Sequence, residues 1–371
     1  MNNQKHIVIN AATSATGGGL IVSLDIIRAL CKNPNYTNTL ICPDINVYRK
    51  LTVNVRIIYV SKYFLKYYSR WWLDYIWLRK TIKKCKPDII ISLGNLPART
   101  SVNQIMFNDN AFVSERSLKG FKLSFRELIA FSIRKWLFHK RIKFVNTLIV
   151  QNELEKNKFI KNYKKLPSIM TFAPLLPSHI TIPEGLNKDL PVRKSQQVRL
   201  GCLSYIRGYK NIMILSDVLD VAEKEKFPLQ IIFAIAPVNS SLSKKLIIKL
   251  KRHIDLGNAI IIGKVKSGQI GELVKKLDGL ILPSLNESYG LNYIEAVYFK
   301  KPFLVSDRPF AREIYQDSAF YFNPILPESI FNTIVEVFSN KDKLKDKLGY
   351  YNLQFLSSEE QLYNLINKHF S

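Results

Sequence analysis

Cysteine, histidine and acidic side chains are the scarce components of this 371-residue chain. Its four cysteines, Cys31, Cys42, Cys85 and Cys202, have no CxxC spacing and no nearby histidine pair, so neither a zinc site nor a disulfide framework is indicated, and a reducing cytoplasm is the simplest setting. No apolar run approaches the roughly 18 to 20 residues of a membrane span, and residues 1–30 lack the charged-then-apolar order of a signal peptide. GxGxxG and Walker A patterns are both absent, which leaves dinucleotide and P-loop readings little support. With only 15 Gly and 16 Pro against 47% hydrophobic residues, the chain is neither low-complexity nor disordered and can bury real cores. Its length suits two domains rather than one.

The shortage of acid leaves a formal net charge of +26, from 55 Lys and Arg against 29 Asp and Glu. Such a balance favours anionic partners: nucleic acid, phosphorylated ligands or an acidic membrane surface. The excess is uneven, with +19 in residues 1–190 and +7 in residues 191–371.

Short β-branched runs recur along the chain, each followed by a segment of helical period, the pattern of βα units around parallel sheets. Strands are predicted at 6–11, 38–42, 55–60, 88–93, 103–107, 147–151 and 168–172, and again at 199–203, 229–235, 258–263, 278–283, 303–306 and 319–322. Between these two series, residues 173–198 carry Pro174, Pro177, Pro183 and Pro191 with little periodicity. The expectation is an α/β chain of two Rossmann-like, doubly wound domains facing across a cleft. An N-terminal domain over 1–175, a linker over 176–198, a second domain over 199–350 and a C-terminal helix in 351–371 that packs back on the first follow from it. In such sheets ligands bind at the carboxyl ends of strands.

The densest site-like stretch is 282–313, LPSLNESYGLNYIEAVYFKKPFLVSDRPFARE. A strand ends at Pro283, a polar loop bears Glu287, and a helix opens near Tyr289 and Gly290, offering free N–H groups to phosphate. Glu295 follows Glu287 by eight positions, and taken alone it is a solvent-facing helix carboxylate. The whole run, however, resembles the donor-binding motif of family 4 glycosyltransferases, a retaining group with the GT-B fold: two Glu separated by seven residues, aromatic-Gly-Leu between them, then Lys-Pro, Val-Ser-Asp and a later Arg-Glu in family order. The resemblance implies that Glu287 contacts the transferred sugar, that Glu295 accepts hydrogen bonds from the nucleotide ribose, and that Ser288, Tyr289, Gly290 and Leu291 line the donor, with backbone N–H groups on the distal phosphate.

The run 199–211, RLGCLSYIRGYKN, resembles the family's diphosphate clamp. Lys210 matches the family lysine, Cys202 stands where an Arg is usual, and Arg207 is a candidate to replace that charge. Residues 261–273 resemble the loop whose backbone, here Gly263 to Val265, lies against the base. Gly17, Gly18 and Gly19 fall where the family has a Gly pair that lets the first domain close over the donor, and Gly18 and Gly19 are counted with the donor site. Many members carry a His after the fifth strand; here the run is MFNDNAF, so Asn108 and Asp109 are candidates for the acceptor side or plain turn residues.

Two segments mix aromatics with cations. Residues 61–84 hold eight aromatics in their first twenty positions. Residues 124–145 place Phe125, Leu128, Ile129, Ile133, Trp136 and Leu137 near one helical face, with Arg126, Arg134, Lys135, Lys140 and Arg141 largely elsewhere. Both fit interfacial amphipathic helices on anionic lipid, or else basic cover helices of the first sheet.

The expectation is therefore a metal-independent retaining glycosyltransferase, without a cofactor since the nucleotide-sugar is a substrate. It would act on a glycan or lipid-linked glycan acceptor in capsule or O-antigen assembly, peripheral at the cytoplasmic membrane face. Two alternatives stand beside it: a basic nucleic-acid-binding protein, for which no recognition motif appears, and a GT-B-like sugar-nucleotide epimerase.

Overall fold

The computed structural model describes residues 4–370 apart from 52, 62–72, 95, 182–183, 187–189, 195, 237–239, 352 and 355. The chain divides into two compact units. One comprises Met1–Ser117, Arg126–Pro177 and Leu356–Ser371; the other comprises Leu118–Phe125 and Ser178–Phe355.

The first unit holds a parallel sheet of β1 (Lys5–Asn10), β2 (Tyr36–Pro43), β3 (Arg56–Val60), β4 (Ile89–Leu93), β5 (Gln104–Phe107), β6 (Thr147–Val150) and β7 (Ser168–Thr171). Their order is β3-β2-β1-β4-β5-β6-β7, which reverses direction between β1 and β4. Runs such as Ile89–Leu93, buried at every position, can be this apolar because helices cover both faces of a parallel sheet. On one face Ile7, Ile9, Leu40, Ile91 and Ile105 share a core with the helix Gly17–Lys32 and with Leu362, Leu365 and Ile366 of the C-terminal helix Glu359–Asn367. Tyr36 Oη donates to Asn367 Oδ1 at 2.8 Å and Tyr363 Oη to the Ala29 carbonyl at 2.7 Å, fastening that last helix.

The second unit holds β8 (Val198–Tyr205), β9 (Leu229–Ala236), β10 (Ala259–Ile261), β11 (Gly279–Leu282), β12 (Phe303–Ser306) and β13 (Phe320–Phe322), again all parallel, in the order β10-β9-β8-β11-β12-β13. Its reversal lies between β8 and β11, which pair through Gly279 with Leu200 and Leu280 with Gly201. A core of Leu200, Ile231, Phe233, Ile281, Leu304 and Ile330 lies beneath.

Two boundaries differ from the sequence expectation. Residues 176–198 are not a free linker: from Ser178 onward they belong to the second unit, where the Glu184 N–H donates to the Gly268 carbonyl at 2.6 Å and Arg193 pairs with Asp278 at 2.7 Å. These attachments are polar and aperiodic, so no hydrophobic period announces them. Residues Leu118–Phe125, within the stretch assigned to the first domain, also belong to the second unit, where Lys122 Nζ donates to Asn211 Oδ1 at 2.8 Å.

The two basic aromatic segments, which by sequence fit either interfacial helices or cover helices of the first sheet, differ in their described parts. Residues 62–72 lie outside the described residues; beyond them Leu73, Leu78 and Ile82 are buried against Val8, Ile41 and Ile90, so the described part covers the sheet. In the helix Phe125–Arg141, Phe125, Leu128, Ile129 and Trp136 are exposed, the first by 77%. Arg141 is buried, however, and Lys135 Nζ donates to the carbonyls of Glu115 and Arg116, so neither belongs to a solvated basic face. The helix turns inward at its C-terminal end, where Phe138 and, just beyond the helix, Ile142 enter the core. No helix among the described residues is long and apolar enough to cross a membrane.

Candidate active site

The sheet reversal in the second unit opens the loops after β8 and β11 next to each other, the topological position at which doubly wound sheets take ligands. The Leu285 N–H donates to the Tyr209 carbonyl at 2.7 Å and ties the two loops together. After β8 the chain makes a single 3-10 turn, Gly208–Lys210, and Asn211 follows in the left-handed region at φ 53°. Asn211 Nδ2 donates to the Pro324 carbonyl at 2.7 Å, which holds the turn and with it Lys210.

Lys210 Nζ donates to Glu287 Oε1, and the two side chains are 16% and 11% exposed. Two residues 77 positions apart in sequence are thus one ion pair. Burial by itself would lower the Lys210 ammonium, but the Glu287 carboxylate and then Tyr209 beside it outweigh that and raise its pKa. The ammonium also lies 5.4 Å from the centre of the Tyr209 ring, a cation–π contact. The lysine is therefore held charged in a poorly solvated place, where a fixed cation acts more strongly on an anionic group than in water.

Gly290 precedes the helix Leu291–Tyr298 with φ 82°, and a Cβ there would fall 2.3 Å from Tyr315 Oη. Tyr315 in turn donates to the Tyr289 carbonyl at 2.7 Å. Only glycine fits this entry to the helix, which has no acidic residue in its first turn to occupy the free N–H groups. Ser288 is half-buried and Leu291 begins the helix. In the same loop Ser284 Oγ and Asn286 Nδ2 are buried without a hydrogen-bond partner among the described residues, as expected where a polar ligand completes the set.

Glu295 is not a solvent-facing carboxylate. It is 2% exposed, with Oε1 3.2 Å from His179 Nε2 and Oε2 accepting from Asn292 Nδ2 at 2.9 Å. His179 falls inside the stretch expected to be linker, and nothing in its surrounding sequence signals the contact.

The remaining candidates divide. Gly263, at φ 74°, and Val265 lie half-buried on the loop after β10. The Arg207 side chain is exposed, with no ion pair or hydrogen bond among the described residues. Cys202 is fully buried beneath Lys210, its thiol pushed up to about 12 by burial, and so carries no charge in place of the family arginine. Asp307 and Arg312, from the Val-Ser-Asp and Arg-Glu landmarks, form an exposed pair at 2.7 Å with Arg312 stacked 3.8 Å from the Tyr321 ring, a structural clamp.

In the first unit Gly19 meets Asp109: a Cβ at Gly19 would lie 1.8 Å from Asp109 Oδ2, while Gly18 is exposed. Burial raises the Asp109 carboxyl above its ordinary range. Asp109 Oδ1, Asn108 Oδ1 and Gln151 Oε1 are buried without partners among the described residues, and the three residues line a small pocket with Val22, Ile26 and Phe107. Neighbouring Asn110 is the turn residue, its Oδ1 accepting from the Phe112 N–H at 3.1 Å.

Comparison with known proteins adds three findings. Residues 193–355 match the family model described as Glycosyl transferases group 1. A stretch of 89 residues is 32% identical to the serotype-specific mannosyltransferase WbdA of Escherichia coli, covering 24% of this chain and 11% of that protein, so the chain spans only a small part of that relative. Among solved structures, HepE of Anabaena in complex with UDP and glucose superposes with a TM-score of 0.71 at 13% identity over 98% of this chain and 100% of that one. WaaG, a glycosyltransferase involved in lipopolysaccharide biosynthesis, gives 0.69 at 15% identity over 97% and 99%. At such identities the likeness is one of fold, and the fold is the two-domain, Rossmann-like GT-B architecture.

Proposed function

We propose that this chain is a retaining glycosyltransferase that moves a sugar from a nucleotide-sugar to a glycan or lipid-linked glycan acceptor in surface-polysaccharide assembly, without a metal ion. The observation that carries the reading is the Lys210–Glu287 pair at the loops after β8 and β11, inside the segment that matches the glycosyl transferase model. When the donor binds, Lys210 exchanges part of its interaction with Glu287 for the diphosphate, and the charge that develops on the leaving group meets a cation already in place. Glu287, relieved of its partner, takes up hydroxyls of the transferred sugar. N–H groups at Gly290 and Leu291 receive the distal phosphate, Glu295 the ribose, and the loop from Gly263 to Val265 the base.

Arg207 has freedom to swing onto the diphosphate. Asp109, whose carboxyl burial raises, and Asn108 supply the acceptor side with polar atoms that have no partner among the described residues. The surface-polysaccharide setting is supported by the likeness to WbdA, a serotype-specific mannosyltransferase, and to WaaG, a glycosyltransferase involved in lipopolysaccharide biosynthesis. A peripheral position at the cytoplasmic membrane face is supported by the exposed apolar stripe on Phe125–Arg141 and the +19 charge of residues 1–190.

The test is transfer itself. The protein, incubated with UDP- and GDP-linked hexoses and a bacterial glycolipid extract, should yield a labelled glycolipid in which the anomeric configuration of the donor is kept, unchanged by chelator. Interconversion of the free sugar nucleotide without acceptor, an inverted product, or strict dependence on added divalent metal would overturn it.

A further inference from the structure

We infer that His179 is a positioning residue that sets the Glu295 carboxylate for a vicinal diol. The inference deepens, and rests on, the assignment of Glu295 to the nucleotide ribose. His179 stands in the short helical turn Ser178–Thr181, and its Nε2 is 3.2 Å from Glu295 Oε1, while Asn292 Nδ2 donates to Oε2 at 2.9 Å. An ionised carboxylate only accepts hydrogen bonds, at about two lone-pair sites on each oxygen. The imidazole must therefore present Nε2–H to it, and one site on each oxygen remains. Two acceptor sites side by side suit two hydroxyls on adjacent carbons, whereas a single hydroxyl leaves one of them unused.

The environment makes that geometry matter. The His179 and Glu295 side chains are 6% and 2% exposed, so bulk water does not compete for the remaining lone pairs, and a diol that reaches them gains more than it would in solution. His179 Nδ1 is buried with no partner among the described residues, leaving the bond to Glu295 as the polar contact that orients the ring. The segment bearing it is fastened to the donor unit beyond the turn: the Glu184 N–H donates to the Gly268 carbonyl at 2.6 Å, and Gln269 Nε2 donates to the Gly185 carbonyl at 2.6 Å. Gly268 is held close as well, since a Cβ there would meet the Glu184 side chain at 2.8 Å. Residues 178–180 thus lie at the ribose carboxylate, and Glu184 and Gly185 at the loop that follows Gly263 to Val265. His179 touches Glu295 and not the reacting atoms, so its effect belongs to donor binding.

Calorimetric titration of the full chain with UDP and GDP and with their 2′,3′-dideoxy counterparts tests this. Wild type should bind whichever ribonucleotide it accepts at least about tenfold more tightly than the dideoxy form. His179→Ala should lose most of that preference while its affinity for the dideoxy form is unchanged, and His179→Gln, whose amide can donate from a similar place, should recover it. In sugar transfer the loss should appear in KM for the donor and not in kcat. If His179→Ala does not fold, His179→Asn, too short to reach Glu295, provides the same comparison. A His179→Ala protein that keeps the preference, or that binds the ribonucleotide more tightly because the ring had been in the way, overturns the inference. If wild type shows no preference, or Glu295→Ala keeps it, the ribose assignment itself fails, which the same titrations reveal separately.

Discussion

Lys210 and Glu287 satisfy each other, and each is a liability without the other. Removing Lys210 leaves a carboxylate that is largely withdrawn from water without its cation, which costs about 1 to 3 kcal/mol for an unsatisfied buried group. Lys210→Ala and Glu287→Ala should therefore each lower the melting temperature, and the double variant should be less destabilised than the sum, as a double-mutant cycle in urea would measure. The two should separate in activity: Lys210→Ala is expected to lower turnover by about 100- to 1,000-fold whatever acceptor is supplied, since it acts on the leaving group. Additive stability losses would mean that the pair does not interact in solution. Glu287 and Lys210 were both legible in the sequence because their neighbours follow a recognisable order, but their pairing was not, since it depends on β8 lying beside β11. His179 was illegible altogether: a lone histidine in a proline-bearing stretch carries no period, and only the tertiary contact with Glu295 gives it meaning.

At the scale of elements, the strands lie within two residues of where short β-branched runs place them, because a parallel sheet covered on both faces needs continuous apolar runs bounded by turns. What the pattern could not convey was which side of a basic helix faces out. In Phe125–Arg141 the period puts Arg134, Lys135, Lys140 and Arg141 largely off the apolar face, yet Arg141 is buried and Lys135 is spent on two carbonyls. The outward elements are Phe125, Leu128, Ile129 and Trp136 with Arg126 and Lys140 beside them, and Lys140 lies 5.9 Å from the Trp136 ring. If this face meets lipid, the protein should sediment with vesicles containing anionic lipid, bind neutral vesicles poorly, and dissociate as salt shortens the Debye length toward roughly 3 Å at 1 M. Replacing Phe125 and Trp136 by Ser and Arg126 and Lys140 by Gln should abolish sedimentation with nucleotide affinity intact. Retained binding in that variant, or indifference of the wild type to lipid charge, would make the helix a solvated cover of its sheet.

The whole molecule combines two units of different electrostatic character. The first carries the bulk of the positive charge and also two carboxyls whose proton affinity folding raises: burial raises Asp109, and it pushes Glu155 up to about 7 against the opposing pull of Lys158 and the Ser114 hydroxyl. A carboxyl that binds its proton more tightly when folded stabilises most below its ordinary pKa, about 4.5 for Glu155, and that contribution is lost as pH rises through about 7. The melting temperature should accordingly fall between pH 4.5 and 7, and Glu155→Gln together with Asp109→Asn should flatten the slope. A slope identical in wild type and double variant would refute the assignment.

In the second unit, the proposed nucleoside diphosphate site lies at the loops after β8 and β11 with Lys210 as its cation. The most direct measurement is thermal denaturation of wild type and Lys210→Ala with and without UDP and GDP. A nucleotide present at 100 times its dissociation constant should raise wild-type stability by about 2.7 kcal/mol. The same concentration should leave Lys210→Ala close to its unliganded melting temperature. Equal stabilisation of both proteins, or none of the wild type by either nucleotide, would contradict the account.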